Sequence, residues 1–148
     1  MRLSLITLVA LGAASGLVSF LFHYAHGTSY FSEDPSACAN CHVMLTEYDS
    51  WQKASHHAVA SCTDCHLPSD FVEKYKAKAE NGYFHTLAFA LHDFREPIRL
   101  KPKNAAILQA QCLHCHAELV QHVTSAEPAR RDVRCVHCHD SVGHGPSR

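Results

Sequence analysis

The chain has 148 residues, enough for one small domain, and 47% of them are hydrophobic. Thirteen lysines and arginines stand against fourteen aspartates and glutamates, a formal net charge of −1 that gives no reason to expect a nucleic-acid partner. The apolar residues are concentrated in the first two dozen positions, and the remainder is polar and rich in histidine.

The first predicted element is a membrane-spanning helix. The run from Leu3 to Phe22 contains no charged residue and is long enough to cross the hydrocarbon layer of a bilayer. A cleaved signal peptide is the alternative, because small residues occur at positions 13–15. Cleavage there would cut within the apolar run, so we favour a retained anchor over residues 1–25. With Arg2 on the inner side, the chain would be single-pass, with a cytoplasmic N-terminus and residues 26–148 exported to the periplasm.

Four copies of the pattern CxxCH organise the exported part. They are Cys38-Ala-Asn-Cys41-His42, Cys62-Thr-Asp-Cys65-His66, Cys112-Leu-His-Cys115-His116 and Cys135-Val-His-Cys138-His139. In this pattern the two thiols add to the vinyl groups of a haem, and the histidine reaches the iron from the attachment side. Zinc sites or disulfides could also use paired cysteines, but neither explains a histidine after every second cysteine. The sequence therefore predicts four covalently bound haem c groups.

The spacing of the motifs indicates two similar halves. The first two motifs begin 24 positions apart, Cys38 to Cys62, and the last two begin 23 apart, Cys112 to Cys135. This pattern predicts two two-haem halves, at about 36–66 and 110–144, joined by a helical segment 67–109. Because four haems would replace most of the side-chain core, the fold class is mainly α with much irregular chain.

Three helices are predicted between the second and third motifs. Ser69 or Asp70 can cap a helix from Phe71 to Glu80 that ends at Asn81-Gly82. A second helix would run from Tyr83 to Phe94, and a third would begin at an Asn104 cap and enter the third motif.

The spare histidines are the candidates for the remaining iron positions. Four of the 14 histidines lie at the ends of the motifs, which leaves ten. His114 and His137 lie within their own attachment loops, so we expect them at the surface or beside haem propionates. The others considered are too close to a neighbouring attachment loop to reach the far side of that haem, and we expect them to ligate across the halves; they are His56, His57, His122 and His144.

These features together resemble a known family. The anchor, the four motifs, the variant Cys38-Ala-Asn-Cys-His-Val-Met44 and the stretch Glu80-Asn-Gly-Tyr-Phe-His85 resemble the NapC/NirT family of membrane tetrahaem quinol dehydrogenases. The likeness is strongest to the small subunits of ammonia-forming cytochrome c nitrite reductases. It implies that menaquinol is oxidised at the first haem in the bacterial inner membrane, and that a periplasmic multihaem reductase receives the electrons.

The resemblance also implies roles for individual residues. His57 would ligate the third haem and His144 the second, while His122 is left for the fourth haem by elimination. Met44, rather than His42, would ligate the first haem.

Two further residues are implied at the quinol pocket. Lys78 would lie beside the quinol, and His85 would either ligate the first iron or only accept a quinol proton; Asp93 and Glu80 are competing bases.

Other functions remain open from the sequence. The chain could be a tethered electron relay that never touches quinol, or a quinol dehydrogenase that serves a nitrate or an N- or S-oxide reductase. A homo-oligomer within the complex is also possible.

Overall fold

The computed structural model describes residues 2–124 and 134–145 and is built from helices. The α-helices are α1 (Arg2–Tyr24), α2 (Pro35–Cys38), α3 (Leu45–Trp51), α4 (Cys62–His66), α5 (Phe71–Leu91), α6 (Pro102–Thr124) and α7 (Ser141–His144). Three short 3-10 helices lie at Gly27–Phe31, His42–Met44 and Cys135–His137. These described residues contain no β-strand, so the predicted mainly helical class with much irregular chain is confirmed.

Helix α1 has the properties of a membrane-spanning helix. Its segment Ser4–Tyr24 has a mean hydropathy of 2.2 and none of it is buried against the rest of the chain. Apolar side chains point outwards on every side of it, Leu5, Leu8, Leu11 and Phe20 among them. A helix that is apolar all round requires an apolar environment, which for this exposed helix is a lipid bilayer.

The central segment differs from its prediction, because α5 continues through Asn81-Gly82 instead of ending there. Asp70 caps it by accepting a hydrogen bond from the Glu73 amide at 3.0 Å, and it closes at His92, whose φ of 54° is left-handed. Gly82 is held within the helix because the Tyr30 ring packs on it; a Cβ at Gly82 would lie 3.3 Å from a Tyr30 ring carbon. Tertiary packing thus overrides the helix-ending tendency of this dipeptide.

Helix α6 also differs from the prediction. It begins at Pro102, a residue suited to the first helical turn, rather than after an Asn104 cap. The Asn104 amide instead donates to the Asn81 side chain at 3.2 Å and joins α6 to α5. As predicted, helix α6 enters the third haem motif, and it continues beyond the motif to Thr124.

Few side chains form a conventional core. Within the described ranges the buried residues are Ala54, Thr63, Leu67, Ala77 and Lys78. Helix α4 packs on α6, and α3 packs on α7. A chain of this length normally buries a much larger apolar core, so the helices are arranged in the way expected around bulky prosthetic groups.

Candidate haem sites and quinol site

Each haem motif is held by a different local structure. The second motif forms α4, where the Ser61 amide donates to Asp64 at 2.8 Å in a capping box. The fourth motif is fastened to α6, because the Cys135 amide donates to the Gln109 side chain at 2.9 Å. In the helical motifs the two cysteines are three residues apart and therefore lie on the same side of the helix.

The attachment cysteines of consecutive motifs lie close together in space. The Cys38 and Cys62 thiols share a hydrogen bond, which lowers the pKa of Cys38 and raises that of Cys62. Burial and the neighbouring Cys135 and Cys65 thiols raise the pKa of Cys112. Consecutive motifs are therefore neighbours in space: the first lies beside the second, the second beside the third, and the third beside the fourth. None of the eight cysteines forms a disulfide.

His144 faces the histidine of the second motif. The ring centroids of His66 and His144 are 5.9 Å apart. The Nδ1 atom of His144 lies 3.1 Å from the Glu47 carbonyl oxygen and 3.4 Å from its carboxylate, which leaves Nε2 available. Iron-bound histidines commonly use the second nitrogen in this way. Burial, followed by the charge of His144, lowers the pKa of His66, which favours its neutral, ligating form.

The histidine of the third motif faces His56 rather than His57. The His56 and His116 ring centroids are 6.1 Å apart, and the His56 Nδ1 atom lies 3.2 Å from the Val142 carbonyl oxygen. The exposed His57 ring instead contacts Trp51, at a centroid distance of 4.6 Å. The sequence reasoning counted His56 among the histidines that could ligate across the halves, but the family resemblance assigned the third haem to His57. Adjacent histidines offer no local signal that separates them.

The first motif lies beside the second half of α5. The His42 ring meets the edge of Phe89 at a centroid distance of 6.1 Å, and Met44 ends the same 3-10 turn. His85 is one helical turn before Phe89 and on the same side of α5. Burial and the positive charge of Lys101 lower the pKa of His85, which favours its neutral, proton-accepting form.

Lys78 lies on this side of α5 and is only 7% exposed. Its ammonium donates to the Ser32 carbonyl oxygen at 3.0 Å and lies 5.4 Å from the centre of the Tyr75 ring. Ser32 belongs to the connector, residues 25–34, which joins the membrane helix to α2. Nearby, Lys74 pairs with Glu33 of the connector, and this hydrogen bond and charge lower the pKa of Glu33.

Comparison with known proteins identifies the family. The model of the NapC/NirT cytochrome c family, N-terminal region, matches residues 1–148. The chain belongs to the NapC/NirT cytochrome c family. Members of this family are cytochromes c, so covalently bound haem c follows for this chain. Among the described residues, α1 is the one helix long and apolar enough to span the inner membrane. The recognition made from the sequence motifs is confirmed.

Individual relatives cover nearly the whole chain. The cytochrome c-type protein NrfH of Wolinella succinogenes is 38% identical, with 96% of this chain and 86% of that protein covered. The cytochrome c nitrite reductase subunit NrfH of Nitratidesulfovibrio vulgaris is 31% identical over 93% of this chain and 82% of its own length. A crystal structure of the cytochrome c nitrite reductase NrfHA complex bound to the HQNO inhibitor contains a similar chain, with a TM-score of 0.65 and 26% identity. That match covers 95% of this chain and 92% of the other.

The donor side chains in the described part of this NapC/NirT member are arranged as facing pairs. Across residues 2–124 and 134–145, no three histidine, cysteine or carboxylate side chains converge on a point that could hold a metal ion. Histidines instead face each other in pairs. His139 is exposed at the end of the fourth motif. His122 belongs to the last turns of α6, and its side chain lies outside the described residues.

Sequence reasoning missed Tyr30, a residue of the connector that shapes this site. Tyr30 packs on Gly82, and burial together with the charges of Cys41 and Cys38 raises its pKa. Tyr30 therefore joins the connector to α5 and lies near the first motif. The aromatic composition of the connector was the available signal, but it indicates a membrane interface equally well.

Proposed function

We propose that this cytochrome oxidises menaquinol at the periplasmic surface of the inner membrane and delivers the electrons to cytochrome c nitrite reductase. The observation that carries the proposal is the near full-length similarity to NrfH proteins, one of them named as a nitrite reductase subunit. The anchor would be residues 1–25, with a cytoplasmic N-terminus, and residues 26–148 would form the periplasmic haem domain. A reductase catalytic subunit would then be the partner, with more than one copy of this chain possible in the complex.

We further propose that the four motifs hold four haems. Histidine is a common ligand of haem iron, so a second histidine that faces a motif histidine would hold the haem together with it. The 5.9 Å between His66 and His144 supports His144 as the second ligand of the second haem. His57 remains our proposal for the third haem from the family resemblance, with His56 as its competitor on geometry. His122 remains the proposal for the fourth haem.

The quinol site would lie where α5 meets the connector and the first motif. Menaquinol loses two electrons and two protons, so a base must lie next to an electron acceptor. The bound haems supply one-electron acceptors. The neutral His85 imidazole would accept a proton, and the Lys78 ammonium would orient a quinol oxygen by donating a hydrogen bond. Both residues lie on the side of α5 that contacts the connector and His42.

The first haem would differ from the others in its ligand. His42 and Met44 leave the same short turn and cannot readily hold opposite faces of one iron. The family resemblance favours Met44 over His42 as the residue that would hold this haem iron, and His42 would then pack against the edge of Phe89.

Reduction of the purified holoprotein by a menaquinol analogue tests the proposed function. A pyridine haemochrome assay should first give four haems per chain. The reduced protein should then pass electrons to cytochrome c nitrite reductase faster than to nitrate or N-oxide reductases. A four-haem protein that menaquinol fails to reduce, but that a soluble donor reduces readily, would be the tethered relay instead.

A further inference from the structure

A second apolar surface lies on α5, on the side opposite the proposed quinol site. We call it the α5 stripe; its members are Tyr83, Phe84, Leu87 and Leu91. At 100° per residue these positions fall within one third of the helix circumference. Each of the four residues exposes 40–67% of its surface. Lys78, Gly82, His85 and Phe89 occupy the opposite side.

The stripe begins where the charge on this side of α5 ends. Glu73, Lys76 and Glu80 lie along the same line of the helix in its first half, and Glu80 pairs there with Lys103 at the start of α6. No aspartate, glutamate, lysine or arginine occurs between Glu80 and Asp93. Four neighbouring exposed apolar side chains without a charge are unusual for a surface in contact with water.

Cations follow the stripe directly. The segment 93–103 contains four cationic side chains against two carboxylates, and it is exposed throughout; the four are Arg95, Arg99, Lys101 and Lys103. The Lys101 ammonium lies 5.1 Å from the centre of the Phe84 ring, at the edge of the stripe. Aromatic and aliphatic side chains bordered by lysine and arginine are typical of protein surfaces that rest on anionic lipid.

The position of α5 places the stripe near a bilayer. Helix α1 ends at Tyr24, and the connector that follows packs on the middle of α5 through Tyr30 and Gly82. The connector is therefore short enough to keep α5 at the level where the chain leaves the membrane. The connector packs on the side of α5 opposite the stripe, and the stripe residues stay 40–67% exposed with Lys101 at their edge.

We infer that the α5 stripe rests on the outer surface of the membrane, with its apolar side chains in the acyl boundary and Arg95, Arg99 and Lys101 at anionic lipid headgroups. The haem domain would then have a second membrane contact besides α1. This contact concerns lipid and is independent of the reaction or reductase that the chain serves.

Photocrosslinking in the assembled, haem-loaded protein tests this contact. Benzoylphenylalanine is placed at Leu87 or Leu91, and the full chain is reconstituted in vesicles of phosphatidylethanolamine and phosphatidylglycerol. Leu119 of α6, which is 76% exposed, is the matched control, and Leu11 of α1 is the positive control. We expect lipid adducts, detected by mass spectrometry, at Leu87 and Leu91 with at least fivefold the yield at Leu119.

Two further outcomes decide the inference. Replacement of phosphatidylglycerol by phosphatidylcholine should lower the Leu87 yield at least twofold and leave the Leu11 yield unchanged. Adducts at Leu87 and Leu91 no more abundant than at Leu119, adducts to another protein instead of lipid, or a yield independent of anionic lipid would each overturn it. The Lys101→Gln variant, which keeps the stripe intact, should also lower the Leu87 yield.

Discussion

Replacement of Lys78 by leucine tests the quinol site most directly. Lys78 is 7% exposed, and its ammonium donates one hydrogen bond, to the Ser32 carbonyl oxygen at 3.0 Å. Leucine retains most of the apolar stem of the side chain. It removes the buried ammonium group and, with it, the desolvation free energy that burial of this charge costs. We therefore expect Lys78→Leu to fold and to bind all its haems.

The expected loss of activity follows from the donor that is removed. A hydrogen bond from a charged group contributes about 1.5–3 kcal/mol. If the Lys78 ammonium holds a quinol oxygen in the transition state, kcat/KM for menaquinol should fall by roughly 10- to 100-fold. The rate of reduction by a soluble donor, which does not use this site, should stay unchanged.

The assay compares the two electron donors in the reconstituted holoprotein. Lys76→Leu is the matched control, because the Lys76 side chain is 66% exposed and pairs only with Glu73 one turn earlier. Full menaquinol activity in Lys78→Leu would refute the role of Lys78. An equal loss with both donors would show instead that Lys78 serves only to fasten the connector to α5.

The remaining predictions concern iron ligands and the quinol base. His144→Ala should turn one haem from low-spin to high-spin in electron paramagnetic resonance, because the ring 5.9 Å from His66 is lost; an unchanged spectrum would exclude this ligand. His57→Ala should turn a different haem high-spin, and the matched control His56→Ala should not. A high-spin haem in His56→Ala but not in His57→Ala would assign the ligand position to His56. Met44→Ala should perturb a single haem and slow menaquinol oxidation, and unchanged haem signals with an unchanged rate would contradict the special first haem. His85→Ala should slow menaquinol oxidation more than reduction by a soluble donor. Because burial and Lys101 lower the pKa of His85 from 6.5, the wild-type rate of menaquinol oxidation should fall only as the pH drops through that lowered pKa. If His85→Ala shows the same fall in rate at low pH, His85 is not the base.

Local sequence was sufficient for the haem motifs and the anchor. Haem attachment needs two cysteines and a histidine within five residues, so the pattern contains the whole attachment site. The anchor depends only on the length and composition of one uncharged run, which α1 matches over Arg2–Tyr24. The cap at Asp70 was among the predicted caps because capping involves only the first turn of a helix.

Other predictions failed where distant residues decide the outcome. Asn81-Gly82 has the composition of a helix end, yet α5 continues because the Tyr30 ring packs on Gly82. Asn104 has the composition of a cap, yet its amide bonds to Asn81 across the α5–α6 contact. In both cases the deciding partner is far away in the chain, so that no local pattern could reveal it.

By itself the sequence determined what this protein carries, namely covalent haem on a chain with one membrane helix, because each of those features is encoded within a single short segment. Only the tertiary structure decided which spare histidine faces which motif. Helix α7 packs on α3, where the Glu47 carbonyl oxygen holds the His144 ring, and this ring lies 5.9 Å from that of His66. His56 rather than His57 turns towards His116. The physical reason is that an iron ligand is selected by its position in space, and this position depends on packing between segments that are distant in the chain.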